Sequence, residues 1–183
     1  MNKQKNNLGF TLIEMLIVMA MIAIVAASTF QVLNFSANGK SLILAINEAK
    51  SLVRKAQSYS LSMPVVETGK EKICGFGIKL GGSSDELQIF YSYNDNFAID
   101  PNACQTADYR KYSLLHSKIV EIYRLPAGHS FSSAPSIFFS SPYGEIYDAT
   151  GINKLATPVV YTIKLLARNK SFSVNQVGNI YNN

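Results

Sequence analysis

GFTLIEMLIVMAMIAIVAA, from Gly9 to Ala27, is an almost unbroken apolar run carrying one carboxylate, Glu14, near its start. Apolar residues continue to dominate as far as Phe35. As a helix rising ~1.5 Å per residue, Phe10 to Phe35 would run about 39 Å, enough to span a hydrocarbon core of ~30 Å with some tilt. Lys3 and Lys5 precede the run, and the first basic residue beyond it is Lys40. The positive-inside rule therefore places the N-terminus in the cytoplasm and the rest of the chain outside. Two simpler readings compete. A cleaved secretory signal would use Val25-Ala26-Ala27 as its small-residue site, but its apolar core would be long and would have to tolerate Glu14. A plain anchor explains the span and leaves the acid unexplained. An ionised side chain inside a membrane helix costs on the order of 2.5 to 3.5 kcal/mol, so such a group generally has a partner.

Gly9-Phe10-Thr11-Leu12-Ile13-Glu14, after a short basic leader and before an apolar run, resembles the class III signal of type IV pilins and pseudopilins. The resemblance implies cleavage after Gly9 by a dedicated membrane prepilin peptidase on the cytoplasmic side. N-methylation of the new terminus at Phe10 would follow. The apolar run is then kept, first as an anchor in the lipid bilayer and later as an assembly surface. Glu14 would neutralise the new cationic amine, its own or that of Phe10 in the next subunit. Between packed helices a missing partner leaves a buried charge uncompensated, so such a pair sets axial register.

The chain has 183 residues, 48% of them hydrophobic, with no Trp and a formal charge of +5. Domains commonly need ~100 to 150 residues, so this length suits one domain plus an extended element. Lys3 and Lys5 account for two of the positive charges, and the remaining bias is too weak to indicate nucleic acid by itself. Cys74 and Cys104 suit one disulfide in an oxidising compartment and match no zinc spacing; free thiols are the alternative.

Beyond Phe35, Leu42, Ile46, Ala49, Val53 and Ala56 recur at helical spacing, with Lys40, Glu48, Lys50, Arg54 and Lys55 set off from that seam as solvated positions. Gly39 weakens this helix, and a bend would fall near Asn34 to Gly39. Met63-Pro64 supplies its end.

From residue 72 the pattern becomes short strands. Lys72 to Leu80 and Glu86 to Tyr93 bracket Gly81-Gly82-Ser83-Ser84 as a hairpin, and strands are expected at Tyr109 to Leu115, Lys118 to Leu125, Ser136 to Ser140, and Val159 to Leu165. Arg168 to Ser171 reads as a hairpin turn before Phe172-Ser173-Val174. Gly75, Gly77 and Gly81 lack the spacing and following helix of a phosphate-binding loop. Asp95, Asp100 and Asp108 in the polar stretch 94–108 make a calcium ion conceivable, but a disulfide-pinned surface loop is favoured and no cofactor or metal is expected. His116 and His129 share no motif with a nucleophile, so no enzyme is expected.

The strand before Pro142-Tyr143-Gly144, the alternating strand 159–165 and the terminal Val177-Gly178-Asn179-Ile180 resemble the H-type minor pseudopilin and FimT-like minor pilin branch. FimT-like proteins that bind DNA carry a Gly-Arg-x-Arg type of tail. Here Gly178 is followed by Asn179, Ile180 and Tyr181, which weakens that reading and leaves it to rest on Arg168 and Lys170.

These readings predict an α+β chain. Residues 1–9 are a leader, 10–35 a transmembrane and assembly helix, 36–63 its amphipathic continuation, and 64–183 an antiparallel β head on which the helix packs. Assembly would use Leu12, Ile13, Leu16 and Ile17. The implied partners are prepilin peptidase, other pilin or pseudopilin subunits and the inner-membrane assembly machinery. The expected product is a minor pilin or pseudopilin, with a DNA-binding minor pilin for natural transformation as the alternative. It starts as a single-pass protein of the cytoplasmic membrane and ends in a pilus or secretion pseudopilus.

Overall fold

The computed structural model describes residues 12–62, 72–95, 99–100 and 102–183, with the backbone alone for 30–38. A helix, α1, runs without a break over Leu12–Ser62, retaining Asn34 to Gly39 in helical conformation, and stops at the residue before Met63-Pro64. The chain divides into two compact units, residues 1–40 and 41–183, each described on its own.

In the first unit, Leu12–Thr29 has a mean hydropathy of 2.3 and no buried residue. This stretch is long and apolar enough to cross a membrane. Its two hydroxyls are satisfied internally: Ser28 Oγ and Thr29 Oγ1 each donate to the Val25 carbonyl at 2.8 Å. Such back-bonding hides a polar group that the hydrocarbon could not solvate.

In the second unit, residues 41–62 of α1 carry the expected seam. Leu42, Ile46, Ala49, Val53 and Ala56 are all buried, joined by Ala45 and Leu52. The alanines let strands approach the helix axis, and the larger residues fill the space between. Among the described residues nine strands follow: β1 (Lys72–Leu80), β2 (Glu86–Asn94), β3 (Ser117–Arg124), β4 (His129–Ser133), β5 (Ile137–Ser140), β6 (Ile146–Tyr147), β7 (Val159–Leu165), β8 (Arg168–Val174) and β9 (Ile180–Asn182). They form a five-stranded sheet in the order β3-β2-β1-β5-β6 and a four-stranded sheet in the order β4-β7-β8-β9. All the pairings are antiparallel. The fold is α+β, as the sequence predicts.

Both sheets contribute one face to the core beneath the helix. Phe76, Ile78, Leu87, Ile89 and Phe139 come from the first sheet, Tyr161, Ile163, Phe172 and Val174 from the second. The five-stranded sheet is also covered on its other face, where Cys74, Phe90, Phe138 and Tyr147 form a second cluster with Cys104, Tyr109 and Tyr112 packed against it. Burial on both faces leaves β2 buried at eight of its nine positions although its sequence largely alternates, so that Glu86, Gln88, Ser92 and Asn94 are buried polar residues.

That second cluster overturns one expectation. Tyr109 to Leu115 is not a strand: short 3-10 turns at Ala103–Gln105 and Ala107–Tyr109 lead into irregular chain. Both edges of β2 are already taken, by β1 and β3. The segment instead lies over the outer face, with the Tyr112 ring edge-on to Phe90 at 5.3 Å.

The turn expected at Arg168 to Ser171 is also displaced. Leu165 pairs with Arg168, so the turn is Leu166-Ala167, and Arg168 to Ser171 belongs to β8. Leu166 takes a positive φ of 53°, a conformation that its residue type does not advertise.

Two charges expected to be solvated are engaged with β3. Tyr123 donates to Glu48 Oε2 at 2.6 Å, and Lys55 Nζ lies 2.6 Å from Glu121 Oε2. Burial, and then the Glu48 carboxylate, push the Tyr123 phenol well above its ordinary value. A raised phenol pKa contributes stability that is fully present below the unfolded value of ~10 and is lost as pH rises above it. Tyr123→Phe is therefore expected to cost about 1 kcal/mol at pH 7 and to flatten the loss of stability above pH ~10, measured by denaturant melts across pH.

Candidate functional site

Leu12, Ile13, Leu16 and Ile17 lie on α1 as two i, i+4 pairs, and their side chains are 85%, 67%, 63% and 47% exposed. At 100° per residue the two pairs occupy adjacent stripes, and Glu14 projects on the flank beyond Ile17, in line with Val18 and Met21. Glu14 is the one charged residue in Leu12–Thr29. A long helix that is apolar around its circumference is suited to lipid or to other helices. Gly9 and Phe10 lie outside the described residues.

Residues 4–30 match the family model for the prokaryotic N-terminal methylation motif. The chain carries a type IV pilin-like prepilin N-terminus. No curated protein and no solved structure matches the chain. A motif of this kind implies processing by a prepilin peptidase and assembly with pilins, and together with the apolar helix it fits a membrane-anchored pilin. The motif suggests a structural protein rather than an enzyme.

In the second unit, Cys74 of β1 and Cys104 are joined as a disulfide. The bond ties the turns at 103–109 to the outer face of the five-stranded sheet. In the stretch considered for calcium, Asp108 is paired with Lys111 at 2.9 Å, which holds its carboxyl below the usual range, and Asp100 Oδ1 accepts from the Asn102 amide at 3.1 Å. No group of three or more His, Cys, Asp or Glu side chains is gathered among the described residues.

Arg168 and Lys170 do not share a hairpin tip. They sit in β8 opposite Leu165 and Ile163, and so on the core side of the second sheet. Lys170 lines a shallow cleft of about 250 Å³ with Ile43, Ile46 and Asn47 of α1.

His129 is a satisfied strand residue, 6% exposed, with Nε2 3.3 Å from Ser41 Oγ and Nδ1 3.1 Å from the Pro126 carbonyl. His116 stacks obliquely on Tyr109 at 4.5 Å.

Sequence reading alone does not reveal a charged cluster built by Arg110, Glu145, Tyr147 and Lys154. Tyr147 donates to Glu145 Oε2 at 2.8 Å, Lys154 Nζ reaches Oε1 at 2.6 Å, and the Arg110 guanidinium lies 4.3 Å over the Tyr147 ring. Lys154, then Tyr147, hold the Glu145 carboxyl below its ordinary value. One local signal was present: Asp148-Ala149-Thr150-Gly151 is a turn sequence, and Gly151 takes a φ of 71° against the Arg110 backbone.

Proposed function

We propose that the chain is a minor pilin or minor pseudopilin of the H-type and FimT-like branch, built into a type IV pilus or a type II secretion pseudopilus. It is inserted with its N-terminus in the cytoplasm and its head outside, cut after Gly9 and methylated at Phe10. The observation that carries this reading is the methylation motif over residues 4–30, which takes in the apolar helical stretch Leu12–Thr29 with Glu14 as its sole charge. Leu12, Ile13, Leu16 and Ile17 then pack against neighbouring subunits, and Glu14 pairs with a terminal amine to set the axial step. Such a pair forms only when both groups leave water together, which favours docking at one register. The head residues act outside the membrane, in priming, length control or contact with cargo.

Intact mass of the chain purified from membranes tests the processing step. The mature protein is expected to begin at Phe10 and to carry one added methyl group, and a mass that retains residues 1–9 would refute it. A DNA-receptor role, the alternative reading, would rest on half-buried Arg168 and exposed Lys170 of β8.

A further inference from the structure

A cleft of about 420 Å³ opens beside the Cys74–Cys104 disulfide, within the size range of small-ligand sites. One wall is apolar, made by the disulfide, Ile73, Pro142 and the 82%-exposed ring of Tyr143. The other is polar, with Arg110, Gln105, Ser140 and Glu145.

Glu145 is already engaged, since each carboxylate oxygen accepts from a neighbour. Arg110 is different. It is half-buried, makes no ion pair among the described residues, and its Nε is buried without a hydrogen-bond partner. Ser140 Oγ on the same wall is likewise buried and unpartnered. A buried guanidinium N–H lacking an acceptor is costly, and a carboxylate is the group whose geometry the fork matches.

The backbone of Arg110 is fixed from two sides. Cys104 ties the preceding turn to β1, and the Gly151 turn packs so closely that an added Cβ would lie 2.6 Å from the Ala107 carbonyl oxygen and 2.9 Å from the Arg110 carbonyl carbon. The Tyr147 ring supports the guanidinium from one face. A cation held this firmly has little left to order when a ligand arrives.

We propose that this cleft binds a carboxylate attached to an apolar group, with Arg110 taking the carboxylate and the disulfide–Tyr143 wall taking the apolar part. A free organic acid and the carboxyl end of a peptide share this chemistry.

The test uses the full mature chain in detergent micelles, titrated by calorimetry and amide NMR with N-acetylphenylalanine and with its primary amide. A matching pair of hexapeptides, ending in phenylalanine as free acid or amide, forms the second arm. The free acids are expected to bind at least about tenfold more tightly than the amides, because only the acid meets the guanidinium. Arg110→Gln should remove that difference while leaving the melting temperature within a few degrees. Tighter binding of the peptide acid than of the acetylated amino acid assigns the site to chain ends, and equal binding assigns it to small acids. Equal affinity for acid and amide, no binding of either acid, or an undiminished acid preference in a folded Arg110→Gln chain would overturn the proposal. The acid–amide comparison on the unaltered protein decides the matter even if the variant does not fold.

Discussion

Glu14→Val is expected to leave the chain processed and in the membrane while removing it from filaments. Valine inserts more readily than a carboxylate, which carries a penalty of about 2.5 to 3.5 kcal/mol at mid-membrane on insertion scales, so the anchor itself becomes more stable. The loss falls on docking. When one member of a buried ion pair is removed, the stranded charge typically costs about 3 to 5 kcal/mol, a reduction in incorporation on the order of a hundredfold or more. The measurement is the ratio of the chain in sheared filaments to the chain in membranes, with the intact mass of the membrane fraction confirming normal cleavage. Incorporation at the unaltered level would show that Glu14 sets no register.

Tyr161→Ala is expected to destabilise the head by about 4 kcal/mol. Tyr161 is fully buried at the centre of β7, its ring stacks on Phe172 at 5.0 Å with planes 6° apart, and its hydroxyl donates to the Pro135 carbonyl at 2.8 Å. Truncation removes the ring from a position where helix and sheet meet, and the cavity cannot close without moving both. Tyr161→Phe separates the two contributions: it keeps the stack and deletes the hydrogen bond, at a cost of about 1 kcal/mol. In a unit of this size the alanine variant should melt roughly 10 °C or more below the parent and the phenylalanine variant only a few degrees below it. Equal losses in the two variants would place the energy in the hydroxyl instead of the ring.

The N-terminal half of this molecule is legible because its determinants are local. A class III signal is a contiguous string, and the seam from Leu42 to Ala56 repeats at helical spacing within one element. The β1–β2 hairpin announced itself through Gly81 and Gly82 between two apolar runs, and the long strand β7 through its alternation. Failures came where the deciding partner is distant. Tyr109 to Leu115 has strand-like composition, but its aromatics serve to cover a sheet face whose neighbouring edges are filled. Arg168 to Ser171 looks like a polar turn, yet the pairing of Tyr161 with Phe172 fixes a register that moves the reversal to Leu166-Ala167. Arg110 and Glu145 meet only because the disulfide and the Gly151 turn bring remote segments together. No one-dimensional pattern records that.

The Cys74–Cys104 bond also sets how far the head can be drawn out under load. It joins positions 30 apart in sequence, so β2 and the turns behind it lie inside a covalent bypass. At ~3.4 Å per residue, about 100 Å of slack is excluded from any unravelling that begins at either end of the chain. A pull along the backbone passes from the start of β1 straight to the 3-10 turns and leaves the rest of the β1–β2 hairpin as a slack loop. For a protein whose N-terminus suits it to a filament, this bond makes the oxidised head shorter at full extension than its residue count implies.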